Sequence, residues 1–210
     1  EARDRFDEMP PRRQTAVVLA LIASGDFEAL AEHGFTRRLY RALLDFERRE
    51  GFPEDGVLDR DQLLRLKEIA DGFYARLGTR YYTHPDTGAR LLVPRRLFDD
   101  EKETPGGILF TRRDGMLSLI FLSFPAREKS YDTLWRTLAS EGDGKRIIYA
   151  RRFDTHFVAT GTLNGRKFYT WMTRTGASTT GFTFSWGEPW DDMGRKISVF
   201  LANAYGAERP

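Results

Sequence analysis

The hydrophobic pattern changes period near Gly78, and that change limits the fold more than any other feature of this chain. Upstream, Leu39, Leu43 and Phe46 recur at helical spacing, as do Leu63, Leu66, Ile69 and Phe73 further on. Downstream, apolar and polar residues alternate in short runs divided by Gly, Pro, Asn and Asp, the texture of strands and tight turns. The reading is an α+β chain: a three-helix module over residues 13–74, then an antiparallel sheet domain over 79–206 covered by two helices. The break falls at Ala75 to Thr79.

In the first part, Gln14 to Ile22 reads as an apolar helix ending near Gly25, Phe35 to Glu50 as a second, and Arg60 to Tyr74 as a third. Glu1 to Arg12 is charged, holds Pro10-Pro11, and reads as an unstructured lead-in. Gly51 suits a left-handed helix cap, Asp55-Gly56 a turn, and Asp59 an N-cap. In the second part, Tyr81 to Pro94 reads as strand, turn, strand, and Asp99 to Gly107 as a polar loop. Ile108 to Arg112 and Met116 to Phe124 flank Asp114-Gly115 as a hairpin, and Ser130 caps a helix to Ser140. Arg146 to Arg151, Phe153 to Gly161, Arg166 to Thr173 and Gly181 to Trp186 are strands, the middle two joined at Asn164-Gly165, a strong hairpin signal. Asp192 to Tyr205 closes the chain as a helix with Ile197, Phe200, Leu201 and Ala204 on one face.

The order of turns from Gly51 to Asp59 resembles the peptidoglycan-binding domain, a small non-catalytic three-helix module of bacterial envelope proteins. Over residues 13–70, Gly25-Asp26-Phe27 matches its Gly-aromatic turn and Phe46-Glu47 its Phe-Gln helix end. Gly51-Phe52 and Asp55-Gly56-Val57-Leu58-Asp59 match its later turns, while His33-Gly34-Phe35-Thr36 is a remnant of its Asp-Gly-x-x-Gly-x-x-Thr segment. The second part resembles uncharacterised C-terminal domains of proteobacterial envelope proteins, and its strand order and closing helix resemble the PsbP-like α+β fold. These resemblances imply a periplasmic protein whose signal peptide has been removed, bound to peptidoglycan or to an envelope protein partner.

Composition narrows the chemistry. None of the 210 residues is Cys, which excludes disulfides, thiolate nucleophiles and Cys metal sites. No apolar run is long enough to span a bilayer. Residues 1–72 hold 12 Lys and Arg against 16 Asp and Glu, and the remainder 21 against 15, so the second part is basic. A basic surface meets anions, which makes nucleic-acid binding by the basic half one alternative, yet no nucleic-acid motif accompanies it, and the expectation is no nucleic acid. His33, His84 and His156 lack metal-ligand spacing, so no metal and no cofactor are expected.

Asp154 and His156 fall on one face of a single expected strand, the geometry of an acid–base pair. No Gly-x-Ser-x-Gly elbow supplies a nucleophile. The expectation is therefore an Asp154–His156 pair on the solvated side of the sheet and no catalytic residue, the alternative being a peptidoglycan or ester hydrolase using Asp154 and His156. Tyr169, Trp171, Phe182, Phe184, Trp186 and Trp190 are either core or an exposed platform beside Arg151, Arg152, Arg166 and Arg174, with the small loop Gly176 to Gly181 at its rim. The candidate ligand-binding residues are Arg151, Asp154, His156, Tyr169, Trp171, Arg174, Trp186 and Trp190.

Overall fold

The structure, a computed structural model, describes residues 1–30, 34–174 and 176–207. His33 lies outside the described residues. The protein is α+β and divides into two compact units: Glu1–Gly78 together with the chain from Val199 onward, and Thr79–Ser198. The second division falls inside the last helix, so the two halves of that helix count with different units.

The helical unit holds α1 (Ala2–Asp7), α2 (Pro11–Ser24), α3 (Arg37–Glu50) and α4 (Arg60–Leu77). The expected unstructured lead-in is corrected. Phe6 of α1 is buried, with its ring 5.7 Å from that of Phe35. Pro11 opens α2, where the missing N–H costs no hydrogen bond. Gly25, Gly51 and Gly78 close their helices in the left-handed conformation. Asp59 and Gln62 form a reciprocal capping box at the start of α4. Leu39, Leu43, Phe46, Leu66 and Phe73 are buried on the expected faces. Phe200 joins this core, with its ring 5.3 Å from Phe73 and 5.6 Å from Tyr74.

The sheet unit begins with a two-stranded ribbon, β1 (Thr79–Thr83) and β2 (Arg90–Pro94). A seven-stranded antiparallel sheet follows: β3 (Asp100–Thr104), β4 (Gly107–Thr111), β5 (Leu117–Pro125), β6 (Lys145–Arg152), β7 (His156–Leu163), β8 (Arg166–Arg174) and β9 (Ser178–Trp186). Its order is β3-β4-β5-β9-β8-β7-β6. Helix α5 (Tyr131–Leu138) lies between β5 and β6 in sequence, and α6 (Asp191–Ala207) follows β9.

Two loop expectations are corrected. Asp99 to Gly107 holds strand β3, and Gly176 to Gly181 holds the first residues of β9, where Ser178, Thr179 and Thr180 are buried. The Asn164-Gly165 hairpin stands as expected, both residues at positive φ and Leu163 opposite Arg166. One sheet face packs on α5 through Leu122, Phe124, Tyr131, Leu134, Phe157 and Met172. On the other, Tyr82 of the ribbon meets Phe110 and Phe121 edge-on.

Candidate functional site

The β6–β7 hairpin turns on Asp154-Thr155, since the Phe153 N–H donates to the His156 carbonyl at 2.8 Å. This corrects the expected placement of Asp154 and His156 on one strand: Asp154 is in the turn and His156 starts β7. The turn is tied to the neighbouring strand, because the Arg174 N–H and the Thr173 hydroxyl both donate to the Thr155 carbonyl, at 2.8 and 3.0 Å. Beside it, Ser130 caps α5 by accepting from the Thr133 N–H at 3.1 Å.

These elements enclose a pocket of about 450 Å³ lined by Ser130, Tyr131, Asp132, Asp154, Arg174 and Thr179 among others. Tyr131 is among the lining residues held in place by a hydrogen bond. The hydroxyl donates to the Phe153 carbonyl at 2.8 Å, and burial pushes its pKa up despite the nearby Arg152 and Arg174. The guanidinium carbons of Arg152 and Arg174 lie 5.0 and 5.2 Å from the Tyr131 ring centroid. Arg152 is also ion-paired with Asp132. Among the described residues, the charged ends of Asp154 and Arg174 hold no ion pair with another side chain.

The remaining candidates are divided. Arg151 is exposed on β6, its guanidinium 4.7 Å from the Phe153 ring. His156 is half-buried, its ring stacked on Phe153 at 4.4 Å and on Trp171 at 4.5 Å. The Thr155 hydroxyl sits 3.2 Å from its Nδ1. Trp171, Phe182, Phe184 and Trp186 are buried, so the open choice between core and platform resolves as core for these four. The Trp186 indole N–H donates to Asp191 at 3.1 Å. Tyr169 is half-buried, with a buried hydroxyl that has no hydrogen-bond partner among the described residues, and burial pushes its pKa up. Trp190 lies in a short 3₁₀ turn, Glu188–Trp190, under the Arg112 guanidinium at 5.0 Å. The structure thus brings Asp154 and Arg174 to the pocket and leaves Arg151, His156, Tyr169, Trp171, Trp186 and Trp190 out of its lining.

Sequence reasoning missed Tyr131 and Asp132, and placed Thr179 only within a small loop at the site's rim. The N-cap signature at Ser130 is the one clue to the first two, since the residues after a cap share its end of the helix. Gly176 and Thr179 do line the pocket, as the rim reading has it, but Thr179 does so from strand β9 and not from a loop.

No protein-family model matches the chain, and no curated protein matches it. Among the solved structures similar to part of it are a cyanobacterial and a yeast protein. Cyanobacterial PsbP from Synechocystis sp. PCC 6803 shares 17% identity over 59% of this chain and 89% of that one, with a TM-score of 0.45. The Saccharomyces cerevisiae Ran-binding protein Mog1p shares 10% identity over 61% of this chain and 89% of that one, with a TM-score of 0.37. With TM-scores below 0.5, neither likeness assigns a fold family.

Proposed function

We propose that this chain is a non-catalytic, periplasmic cell-envelope protein that binds wall polymer or an envelope protein partner. One observation carries the reading. In the pocket, Ser130 is spent on a helix cap, Tyr131 on the Phe153 carbonyl and Asp132 on Arg152, which leaves Asp154 and Arg174 to meet a ligand. A site with one available anion and one available cation suits a ligand carrying both an amine and a carboxylate, as the peptides of wall polymer do. The helical turn Gly51 to Asp59, through its resemblance to peptidoglycan-binding modules, supports the same compartment.

The hydrolase alternative gains no support. The His156 ring is engaged by Phe153, Trp171 and Thr155, and no Ser stands in a nucleophile elbow. Among the described residues no group of three or more His, Asp or Glu is placed to hold a metal, and no helix is long and apolar enough to cross a membrane.

The test is cosedimentation of the full chain with purified sacculi, alongside Arg174→Glu and Asp154→Lys. Retention of the native chain, weakened by either charge reversal, is the expected result. A chain left in the supernatant contradicts wall binding. Release of soluble wall fragments contradicts the non-catalytic reading.

A further inference from the structure

Strand β6 forms one edge of the sheet, and its surface is unusual in two respects. Ile148 is 68% exposed and Tyr149 50% exposed, an apolar pair beside a register shift between Ile147 and Tyr149. Four of its residues are basic. Two are engaged within the fold: Lys145 Nζ donates to the Leu138 carbonyl at 2.5 Å, and Arg152 pairs with Asp132. Arg151 rests over the Phe153 ring, and neither it nor Arg146 is ion-paired to an acid among the described residues.

The backbone of this edge is available as well. The Phe153 N–H turns inward to His156, so strand alternation points the polar groups of Arg152 and Ala150 outward. Further along, the Ile147 N–H donates to Glu141 Oε1 at 3.2 Å. An acidic side chain of the chain itself is thus already seated on this edge. The opposite edge, β3, carries Asp100, Glu101 and Glu103, the reverse sign.

We propose that the β6 edge receives an extended acidic segment of a protein partner, added as a short further strand. Its backbone pairs with Ala150 and Arg152, its carboxylates meet Arg146 and Arg151, and its apolar residues cover Ile148 and Tyr149. The proposal rests on the partner-binding reading above only in requiring a protein partner, and it uses neither Asp154 nor Arg174.

The test titrates the full chain with a labelled peptide in which Glu alternates with Val. Controls replace every Glu by Lys, or alternate residues by Pro, which cannot donate to a strand. Fluorescence anisotropy reads affinity and amide hydrogen exchange reads the site. The acidic peptide is expected to bind about tenfold or more tightly than either control, and to slow exchange at Ala150 and Arg152. Arg146→Glu with Arg151→Glu weakens binding about tenfold or more, and Glu141→Ala strengthens it by vacating the Ile147 N–H. Absent binding, binding without protection of those two amides, or binding indifferent to the charge reversal overturns the proposal. Self-association that the peptide fails to displace overturns it in favour of a second copy, docking through its acidic β3. Sacculus retention unaffected by Arg174→Glu while the peptide still binds refutes the pocket reading alone, and retention lost in Arg174→Glu while the peptide fails to bind refutes the edge alone.

Discussion

The Glu47 carboxylate accepts the Gly56 N–H at 2.9 Å from a fully buried position, and its second oxygen has no hydrogen-bond partner among the described residues. The helix end and the turn nine residues later are thereby tied by one acid. Burial raises the Glu47 pKa, Asp55 and Glu54 add to the rise, and the Gly56 N–H opposes it. A raised folded-state pKa favours folding at low pH. That contribution is complete below the unfolded carboxylate range and is lost as pH rises through the folded value. Glu47→Gln keeps an acceptor for Gly56 and removes the charge. Denaturant unfolding should therefore show the variant gaining on the native chain from pH 4 to 7, by on the order of 1 kcal/mol. A stability difference flat across that range would refute the account.

Gly106 and Gly165 separate two costs of a side chain in a turn. Both have positive φ, but a Cβ at Gly165 meets open space while one at Gly106 would overlap the Phe124 ring. Gly165→Ala should cost about 1–2 kcal/mol for the left-handed conformation alone. Gly106→Ala should cost more, because Phe124 belongs to the core under α5 and has to move. Thermal melts of the two variants side by side check the order, and equal losses would refute it.

The sequence alone places His156 on a solvated strand face, where removal would cost little. Its stacking between Phe153 and Trp171 predicts a larger loss. His156→Ala should destabilise by about 1–3 kcal/mol, since aromatic pairs contribute about 0.5–1.5 kcal/mol beyond burial. His156→Phe should restore most of it, and chemical denaturation distinguishes the two.

Tyr131→Phe removes the donor to the Phe153 carbonyl and leaves the ring between its arginines. A loss of about 0.5–1.5 kcal/mol is expected. Exchange at the Phe153 amide should quicken as the β6–β7 turn loosens. An unchanged turn would show that Thr173 and the Arg174 backbone hold it unaided.

What the sequence displayed and concealed follows from where burial was needed. The stripes Leu39–Leu43–Phe46 and Ile197–Phe200–Leu201–Ala204 are visible because one helix face has to be apolar. Strand β3 is invisible because an edge strand exposed on both faces needs no apolar residue, and Asp100–Thr104 has none. Helix α1 hides behind Pro10-Pro11, read as a breaker although the first turn of a helix accepts Pro11. At the pocket, Asp154 and Arg174 are legible as charged residues near strand ends. Their meeting with Tyr131 depends on tertiary packing, which periodicity does not encode.

The strand order has a consequence for how the chain acquires its structure. Strands β3 to β5 form one meander and β6 to β8 another, each from neighbours in sequence, and β9 alone lies between them. Until β9 arrives, both meanders keep an open, largely apolar border, with Leu117, Leu119 and Phe121 on one side and Phe168, Trp171 and Met172 on the other. The β5–β9 pairing spans a long stretch of chain, and closing so distant a contact is slow. A nascent chain stalled before Ser178 would thus present two sticky half-sheets.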